Sequence, residues 1–425
     1  MPTPDMLTYA AKDSRVLLPL HTALESKISV ADLNRVADME CRALPAIAWM
    51  ANAGVPFDVE GWRRRLSEVE VEKERLKEKL DELAPLHPEG KPWNWNSPMQ
   101  IKEAFGLLGV DLPDTKEETL SRCSHSLAET LLRYKKTSKL VGTYGPKLLE
   151  FVEDGRIYGS WWQIGAGTGR MASSSPNLQN LPPEVRRYVK APAGRVLVVA
   201  DYSQIELRIA ALISGDERML AAFANGEDIH TITARSLTGR EGVTKQERKL
   251  AKAVNFGLLY GMSAAGLRHY ARASYGVEMT KEEGERYWQH FFKTYPGLKA
   301  WHDREHRRLK KDGNTETRTL TGRRRTGVAK LTERLNSPVQ GTGADGIKLA
   351  LALLYERRGE CPGAYPILAV HDEIVVECNE EDANKAEAWL KKVMIDGMEG
   401  VLNDHKVDAP RVPVEVETEI GKSWA

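Results

Sequence analysis

The stretch PILAVHDEIVVEC, residues 366–378, places three ionisable side chains between two apolar runs. Both runs are rich in Ile and Val and are typical of short buried strands, because β-branched side chains suit a packed, pleated surface. His371, Asp372 and Glu373 would then form the tip of a β-hairpin. Turn chemistry alone favours Asp at such a tip, whereas an acidic pair held by two buried strands is costly unless a cation or a partner compensates it. This motif by itself leaves both interpretations open.

A second carboxylate follows another apolar run. The segment RVLVVADYS at 195–203 contains a run that ends at Asp201, and the chain from Tyr202 to Glu206 turns into a helix. Asp201 would partner Asp372 if the two runs form neighbouring strands. Two such aspartates can hold two Mg²⁺ ions roughly 4 Å apart, an arrangement that suits phosphoryl transfer. Ordinary turns that happen to contain Asp remain the alternative.

A helix between these two acids carries a mixed face. The sequence TKQERKLAKAVNFGLLYGM at 244–262 opens with Thr244 and Glu247 in the spacing of a capping box. Side chains at intervals of four residues share one face about 120° wide. They are Arg248, Lys252, Phe256 and Tyr260. A stripe facing the core would not carry the cations, and a solvated face would not carry the aromatic rings. The face therefore predicts a nucleoside triphosphate site, with phosphates on the cations and the base against the first ring.

Composition limits the class of protein. A chain of 425 residues is long enough for two or three domains or subdomains. No apolar run approaches the length of about eighteen residues that a membrane span needs, and the N-terminus lacks the pattern of a secretory signal. The four scattered cysteines indicate neither a disulfide framework nor a zinc site. We expect a cytoplasmic protein with no membrane association.

The net charge of +1 gives no global signal for nucleic acid, so any such binding depends on local basic clusters such as 63–65 and 133–139. Helical patterns cover 29–54, where Ser29 and Asp32 have capping-box spacing, and also 60–84 and 125–151, which we expect to pack together. Helices dominate from 204 to about 310. Strand-like patterns surround them; they begin near 156 and recur at 195–201, 317–328, 366–378 and in the tail VPVEVETEIGKSWA.

Three segments together resemble the successive polymerase motifs of family A DNA polymerases, the DNA polymerase I family. They are DYSQIELR at 201, RKLAKAVNFGLLYG at 248 and VHDE at 370. Further segments are similar to the same family in the same order: NSPMQ at 96, SKLVGTY at 138, TGRMASSSPNLQNLP at 168, GEDIHT at 226, TGRRR at 321, NSPVQGTGAD at 336 and the ending EIGKSW. The resemblance covers about residues 25–425.

The resemblance implies an α+β fold of the right-hand polymerase type, with a palm built on an antiparallel sheet, helical fingers and a helical thumb. The predicted domains are a remnant of a 3′→5′ exonuclease domain at 1–24, an N-terminal palm segment and thumb at 25–155, the first part of the palm at 156–218, the fingers at 219–330 and the second part of the palm at 331–425.

The resemblance also implies the function, which is template-directed addition of dNTPs to a primer 3′-hydroxyl in DNA replication and repair. Asp201 and Asp372 would bind two Mg²⁺ ions, with Mn²⁺ as a substitute, and Glu373 would assist. The primer hydroxyl attacks the α-phosphate and pyrophosphate leaves, so catalysis rests on positioning and charge neutralisation. Expected partners are primer–template DNA and dNTPs, with no membrane and a monomeric state.

The other site residues are implied by the same resemblance. The incoming nucleotide would contact Gln204, Glu206, His230, Arg248, Lys252, Phe256 and Tyr260. The DNA would contact Arg170, Gln179, Asn180, Gln340 and His371. Within these sets, Glu206 would exclude a 2′-hydroxyl by packing against Tyr260, and Phe256 is the residue that accompanies discrimination against dideoxynucleotides. Arg170, Gln340 and His371 would check the minor groove, whose acceptors hardly vary among correct base pairs.

Two features depart from the family pattern. The family often has Arg four residues before Asn336, where this chain has Thr332, and Arg334 is displaced from that position. The segment LTYAAKDSRVLLPL at 7–20 resembles the last exonuclease motif, with Tyr9 and Asp13 as its Tyr and Asp. One carboxylate cannot assemble a two-metal nuclease site, so we expect a polymerase fragment without proofreading or 5′-nuclease domains.

Competing interpretations are a single-subunit RNA polymerase, which shares the aspartate pair, and a catalytically inactive DNA-binding fragment. The combination of Glu206 with NFGLLYG at 255–261 favours a DNA polymerase over the first, and the presence of both aspartates argues against the second. Reverse transcription would be a side activity, because A-form geometry is also checked in the minor groove.

Overall fold

The computed structural model describes residues 2–311, 313, 315–403 and 411–425. Its α-helices are α1 (Pro4–Val30), α2 (Asn34–Ala53), α3 (Val59–Leu83), α4 (Pro98–Leu107), α5 (Glu117–Ser121), α6 (Ser126–Tyr144), α7 (Pro146–Leu149), α8 (Pro183–Arg186), α9 (Ile205–Ser214), α10 (Glu217–Ala224), α11 (Ile229–Thr238), α12 (Lys245–Leu259), α13 (Ala264–Tyr275), α14 (Lys281–Thr294), α15 (Pro296–Lys311), α16 (Leu331–Glu356) and α17 (Ala383–Leu402).

The β-strands are short apart from those of one sheet. They are β1 (Val55–Pro56), β2 (Val152–Glu153), β3 (Arg156–Ile157), β4 (Ser160–Trp162), β5 (Ala172–Ser174), β6 (Arg195–Tyr202), β7 (Thr317–Arg318), β8 (Arg324–Arg325), β9 (Tyr365–Val370), β10 (Glu373–Asn379) and β11 (Val416–Gly421). Chain contacts divide the molecule into two compact units. Unit 1 comprises Met1–Ala53, Trp161–Ser174 and Val198–Ile420, and unit 2 comprises Gly54–Ser160, Ser175–Leu197 and Gly421–Ala425.

The four-stranded sheet of unit 1 has the order β11-β6-β10-β9. Strands β9 and β10 pair antiparallel, with Val370 opposite Glu373 and Ile374 opposite Ala369, and the register shifts after Val375. The apolar residues of both strands are buried, as their β-branched composition predicts. The hairpin predicted from the sequence is therefore confirmed, with a tip of two residues, His371 and Asp372. Glu373, which was predicted to lie in the tip, is instead the first residue of β10 and pairs with Val370.

Helices bury the sheet of unit 1. Helix α16 packs along α17 and α2, and α2 also packs on β9. The hydroxyl of Tyr202, at the end of β6, donates a 2.6 Å hydrogen bond to the carbonyl oxygen of Met394 in α17. This bond pairs a buried polar group at the strand end and fixes that end against the helical layer.

The region from α9 to α15 is helical, as the sequence predicts. One buried side chain, Asp216, connects two of its helices. Its carboxylate caps α10 by accepting from the amide of Met219, and it also accepts from the amides of Gly297 and Leu298 at the start of α15. Three donors satisfy a carboxylate that is 1% exposed. This interaction holds the two ends of the helical region together.

Unit 2 is built on the packing of α3 against α6, the pair that the sequence predicts. A core of Trp93, Trp95, Phe105 and their neighbours lies beside these helices. The indole nitrogen of Trp62 in α3 donates to the carbonyl oxygen of Tyr144 at the end of α6, at 2.9 Å. Strands β1, β3 and β2 form a small sheet in the same unit.

Two helix boundaries differ from the sequence prediction. The helix predicted over 29–54 is the last turn of α1 followed by α2, and Ser29 lies inside α1 rather than capping a new helix. The helix predicted over 125–151 ends at Tyr144, because Gly145 precedes Pro146, which disfavours the helical conformation at the residue before it. Both segments contain good helix formers, so the apolar patterns alone did not show the breaks.

The domain boundaries proposed from the sequence stay predictions, and residues 404–410 of the proposed second palm segment lie outside the described residues. Tyr9 and Asp13 lie on α1, in which no described residue is buried. Their assignment to an exonuclease remnant also stays a prediction. Among the described residues, no helix combines the length and the apolar character needed to cross a membrane.

Candidate active site

The two aspartates singled out in the sequence lie on neighbouring strands. Asp201 is the penultimate residue of β6, and Asp372 lies in the turn that leads into β10, the strand beside β6. The amide of Tyr202 donates to the carbonyl oxygen of Asp372 at 3.2 Å, so the two backbone segments are in direct contact. The sheet therefore places both carboxylates at one edge.

Left-handed backbone conformations stand beside both acids. His371 has φ of 57° and precedes Asp372, while Gln204 has φ of 55° and begins α9 three residues after Asp201. Such conformations are uncommon for residues other than glycine and are concentrated at functional sites. They allow the chain to turn sharply directly after each strand.

The carboxylates disfavour one another's ionisation. Asp201 is exposed when the whole residue is considered, but the surrounding protein still removes much of the water from its carboxylate. This desolvation, together with repulsion from Asp372, Glu373 and Glu417, raises the pKa of Asp201 to about 7. Desolvation also raises the pKa of Asp372, and Glu206 adds to this. Oxygen donors with such excess negative charge fit Mg²⁺, which prefers carboxylate and phosphate ligands. Within the described ranges, no group of three or more His, Cys, Asp or Glu side chains is arranged to hold a metal ion.

Glu417 was missed by the sequence analysis. It lies on β11, which neighbours β6, and its charge acts on both Asp201 and Arg248. The alternating pattern of the tail is typical of an exposed strand, so its carboxylates looked like solvated ones. The useful signal would have been the pairing of this strand with β6, which local sequence does not show.

The N-terminal half of α12 presents its cations as the sequence predicts. Thr244 and Glu247 form the expected capping box. Arg248 Nε lies 2.8 Å from Oδ2 of Asp228, the residue that caps α11. Burial opposes ionisation of Asp228, but hydrogen bonds from Arg248 and Thr231 outweigh it and lower the pKa to about 2. Asp228 thus holds the guanidinium in place, and Lys252 is exposed one turn further along the helix.

His230 is a buried neutral imidazole beside these cations. Asn255 Nδ2 lies 2.7 Å from His230 Nδ1, while Asn255 Oδ1 accepts from the hydroxyl of Thr233. Nδ1 therefore accepts, and the proton belongs on Nε2. The pKa of His230 is lowered to about 4, chiefly by burial, with smaller contributions from the charges of Arg248 and Lys252 and an opposing one from Asp228. At neutral pH the side chain offers one N–H donor rather than a positive charge.

The state of His230 gives a pH prediction. Its folded pKa of about 4 lies below the ordinary 6.5, so the unfolded chain binds more protons between these values. The contribution of His230 to the free energy of unfolding should therefore fall as pH is lowered from 6.5 to 4, by up to about 3 kcal/mol for a shift of this size. His302, whose pKa burial lowers to about 4, acts in the same direction.

We expect His230→Gln to lower the pH slope of the free energy of unfolding in urea by up to about 1.4 kcal/mol per pH unit, the contribution of one proton. His302 still acts in the same direction in the variant, and Asp201, with its raised pKa, acts in the opposite one. The comparison uses the slope and not the absolute stability, since the substitution also disturbs packing. A slope equal to that of the parent would contradict the assignment of His230 as buried and neutral.

A cavity of about 530 Å³ lies beside the aromatic half of α12, lined among others by Glu206, Phe256, Tyr260 and Gln340. The hydroxyl of Tyr260 donates to Oε2 of Glu206. Arg170 Nη2 lies 2.8 Å from Oε1 of the same carboxylate. The ring of Phe256 is 5.7 Å from that of His230, centroid to centroid. The structure thus brings the predicted sugar and base contacts to one cavity.

Gln204 adds an unsatisfied acceptor. Its Oε1 atom is buried and has no hydrogen-bond partner among the described residues. A buried polar atom without a partner costs on the order of 1–3 kcal/mol, so such an atom points to a missing ligand or water. This observation agrees with the position of Gln204 in the predicted nucleotide set.

Gln179 and Asn180 belong to unit 2, whereas the other predicted site residues belong to unit 1. They form a 3₁₀ turn, and the carbonyl oxygen of Asn180 accepts from the hydroxyl of Tyr144 at 2.8 Å. Asn180 also lines a cavity of about 730 Å³ whose basic residues are Arg65, Lys136, Lys139 and Arg187. Two of the basic clusters seen in the sequence therefore meet in one cavity of unit 2.

Arg334 does not replace the arginine missing at Thr332. It is 2% exposed, and its Nε donates to Oε2 of Glu305 at 2.7 Å. Thr332 itself lines the cavity beside α12. The guanidinium two residues further along α16 is thus engaged inside the protein.

The sequence model of DNA polymerase family A matches residues 62–425. The chain belongs to DNA polymerase family A. It is a DNA-directed DNA polymerase, a nucleotidyltransferase of DNA replication and repair, and its fold is the right-hand polymerase fold. The expectation of this family from the three motifs is confirmed. The RNA polymerase and inactive-fragment alternatives are not favoured.

Relatives of this family A polymerase include bacterial DNA polymerases I. It is 36% identical to that of Aquifex aeolicus (strain VF5), over 98% of this chain and 75% of the relative. It is also 36% identical to the thermostable DNA polymerase I of Thermus aquaticus, over 98% of this chain and 51% of the relative. The chain therefore spans about half the length of the Thermus enzyme.

A solved structure similar to this family A polymerase is the POL domain of Pol1 from M. smegmatis, in a complex with DNA primer-template and dNTP. The TM-score is 0.82 at 28% sequence identity, and the match covers 96% of this chain and 74% of that one. The similarity extends over nearly the whole chain, so it applies to both compact units.

Proposed function

We propose that this polymerase extends a DNA primer at the sheet edge formed by Asp201 and Asp372, with two Mg²⁺ ions held by these carboxylates and by the nucleotide phosphates. Two adjacent strand-end aspartates, one with a pKa raised to about 7, carry the proposal. Family A polymerases generally use divalent metals. Bound there, two such ions, Mg²⁺ or Mn²⁺, would activate the attacking oxygen and neutralise the charge on the leaving one.

Residues of α12 and of the neighbouring helix α11 bind and orient the triphosphate. Arg248 and Lys252 bind the triphosphate, and His230 donates its Nε2 proton to a phosphate oxygen. Asp228 orients the guanidinium of Arg248 through the 2.8 Å bond. Phosphoryl transfer needs no covalent intermediate on the protein, so these side chains act by positioning and by charge. Glu373 adds negative charge near Asp201 as a weaker contributor.

The nucleotide fits against the cavity beside α12. The base stacks on Phe256, and Gln204 pairs its buried Oε1 with the nucleotide or with a bound water. The sugar lies against Glu206 and Tyr260, whose mutual hydrogen bond makes a stiff wall. A 2′-hydroxyl would meet this wall, which explains a preference for deoxynucleotides.

The DNA partner is a primer–template duplex. Arg170, Gln340 and His371 contact the minor groove at the primer end, and Gln179 and Asn180 contact the duplex from unit 2. The basic cavity of unit 2, with Lys136 and Lys139, supplies phosphate contacts that weaken with salt. We further propose that the enzyme acts as a cytoplasmic monomer and that reverse transcription is a side activity.

Phe256→Tyr tests the base and sugar side of this cavity. A dideoxynucleotide lacks the 3′-hydroxyl, and the phenolic hydroxyl of Tyr would replace the contact that this group makes in the site. We therefore expect dideoxynucleotide uptake to rise by about a hundredfold or more, while dNTP addition changes little. The measurement is single-nucleotide incorporation with a ddNTP and its matching dNTP. Equal discrimination in the parent and the variant would contradict the position given to Phe256.

The proposed function is tested by extending a labelled DNA primer with Mg²⁺ and four dNTPs. Growth should depend on the template and stop when the metal is chelated. If the protein bound primer–template tightly but did not extend it, the assignment of catalysis to this chain alone would be wrong.

A further inference from the structure

A buried network of four ions lies outside the residues assigned to catalysis. Arg323 Nε donates to Oδ1 of Asp345 at 2.7 Å, and its Nη2 donates to Glu40. Lys348 Nζ donates to Oε1 of Glu40 at 2.5 Å. Asp345 and Lys348 are 0% exposed, and all four residues belong to unit 1. Two positive and two negative charges thus balance within the protein.

Such a network is costly to bury. Removing ions from water costs several kcal/mol each, and apolar side chains of similar volume often stabilise a core at least as well. Desolvation lowers the pKa of Lys348, and Asp345 needs hydrogen bonds from Thr319 and Thr321 besides Arg323. Stabilisation of the fold is therefore a weak explanation for burying these four charges. The contacts that the four residues make with other parts of the protein suggest another role.

One contact leads toward the active site. Lys348 Nζ also donates to the carbonyl oxygen of Gly169 at 2.8 Å. Gly169 has φ of +91°, and a Cβ atom there would lie 2.5 Å from Cδ of Arg323. A Cβ atom at Gly341 of α16 would lie 2.8 Å from the carbonyl oxygen of Thr168. The turn that precedes Arg170 is therefore held between the ion network and α16.

Arg170 itself belongs to the active site. It donates to Oε1 of Glu206 at 2.8 Å, and the other oxygen of Glu206 accepts from Tyr260. The charge of Arg170 also opposes the rise in the pKa of Asp372. Hydrogen bonds thus connect Glu40 of α2 to Lys348 and Lys348 to Gly169, the backbone connects Gly169 to Arg170, and Arg170 donates to Glu206 at the nucleotide cavity.

We propose that Glu40, Arg323, Asp345 and Lys348 are positioning residues that hold the guanidinium of Arg170 against the primer terminus. The proposal rests on the minor-groove role proposed above for Arg170. A displacement of the 168–170 turn would weaken the hydrogen bond from Arg170 to the minor-groove acceptor of the last primer base. Because this bond positions the primer end for reaction, its loss should lower the rate of nucleotide addition.

The informative variant is the pair Glu40→Gln with Lys348→Met. It removes one positive and one negative charge, so the burial of charge stays balanced, but the donor to Gly169 is lost. The readout is single-turnover addition to a primer that ends in guanine or in 3-deazaguanine, which lacks the N3 acceptor. In the parent we expect the analogue to slow addition by about tenfold or more, as for loss of a hydrogen bond to a charged group.

The ratio of interest is the rate of addition to the guanine-ended primer divided by the rate for the 3-deazaguanine primer. In the pair variant this ratio should fall toward one, because Arg170 no longer contacts the N3 acceptor. Arg170→Ala should give the same low ratio, and adding it to the pair variant should cause little further loss. Thermal melting monitors folding separately. If the pair variant does not fold, Lys348→Arg conserves charge, but its longer forked head cannot reproduce the bond to Gly169, and the ratio should again fall.

The outcomes distinguish the minor-groove role of Arg170 from the positioning role of the four buried ions. A parent that adds equally well to both primers would overturn the role of Arg170, and the positioning proposal with it. A sensitive parent with an equally sensitive, folded pair variant would overturn the positioning proposal alone. A reduced ratio in the variant, with melting close to that of the parent, is the expected result.

Discussion

Asp372→Asn is expected to slow nucleotide addition by at least about a thousandfold while primer–template binding is retained. Asn preserves the size of the side chain and the geometry of the hairpin turn, so the β9–β10 pairing should be unchanged. What is lost is one of the two adjacent anions proposed to hold the metal ions. Single-turnover incorporation at saturating dNTP measures the loss in the chemical step, and equilibrium binding of a labelled primer–template checks that DNA affinity survives.

Glu417→Gln is the matched control for this loss. Glu417 also bears a charge that acts on Asp201, but it is an exposed residue on β11. Removing a neighbouring charge without removing a proposed ligand should change the rate by less than about tenfold. If Asp372→Asn and Glu417→Gln lowered the rate equally, the effect of Asp372 would be general electrostatics, and its assignment as a ligand would be wrong.

Glu206→Ala is expected to lower the preference for dNTP over rNTP by about a hundredfold or more. In the structure Glu206 accepts from both Arg170 and Tyr260, and its side chain is 19% exposed beside the cavity. Truncation removes the wall that a 2′-hydroxyl would meet and frees the space it occupied. The expected change is mainly faster rNTP addition, because a deoxyribose has no 2′-hydroxyl to meet the Glu206 side chain.

The control for this prediction is Glu206→Gln. Gln keeps the volume of the side chain and can still accept from Tyr260, so most of the steric exclusion should remain. Competing dNTP and rNTP in single-nucleotide kinetics gives the ratio directly for the parent and both variants. An Ala variant with unchanged selectivity would remove Glu206 from the sugar contact.

Much of the four-stranded sheet could be predicted because its strands are rich in β-branched residues and are bounded by polar turns. The runs before Asp201 and Asp372 carry that pattern, and β6 and β10 form as expected. The pairing of these two strands does not follow from either run alone. It was expected from the resemblance of ordered motifs, and the structure shows the same adjacency.

Capping signals were reliable only where tertiary structure agreed. Thr244 and Glu247 form a full capping box at α12, whereas Ser29 and Asp32, in the same spacing, do not start a helix. Asp32 has φ of 57° in the link between α1 and α2, and Ser29 bonds to Asn34. The run of good helix formers before Ser29 extends α1 through that position, so the local signal was overridden.

The residues that escaped sequence reasoning act across long separations. Glu40 contacts Arg323 and Lys348, and Glu417 acts on Asp201. None of these pairs has a local spacing that a helix or strand period would show. They become visible only when the fold brings α2 to α16 and β11 to β6.

The central claim is that Asp201 and Asp372 jointly hold the catalytic ions, and Mn²⁺ counting tests it most directly. The complex would contain the polymerase, a dideoxy-terminated primer on its template, and the matching dNTP, with bound Mn²⁺ measured by electron paramagnetic resonance. We expect about two ions per parent complex and about one in Asp201→Asn or Asp372→Asn at the same free Mn²⁺, because the bound triphosphate still carries an ion. Two ions in all three complexes would contradict the claim.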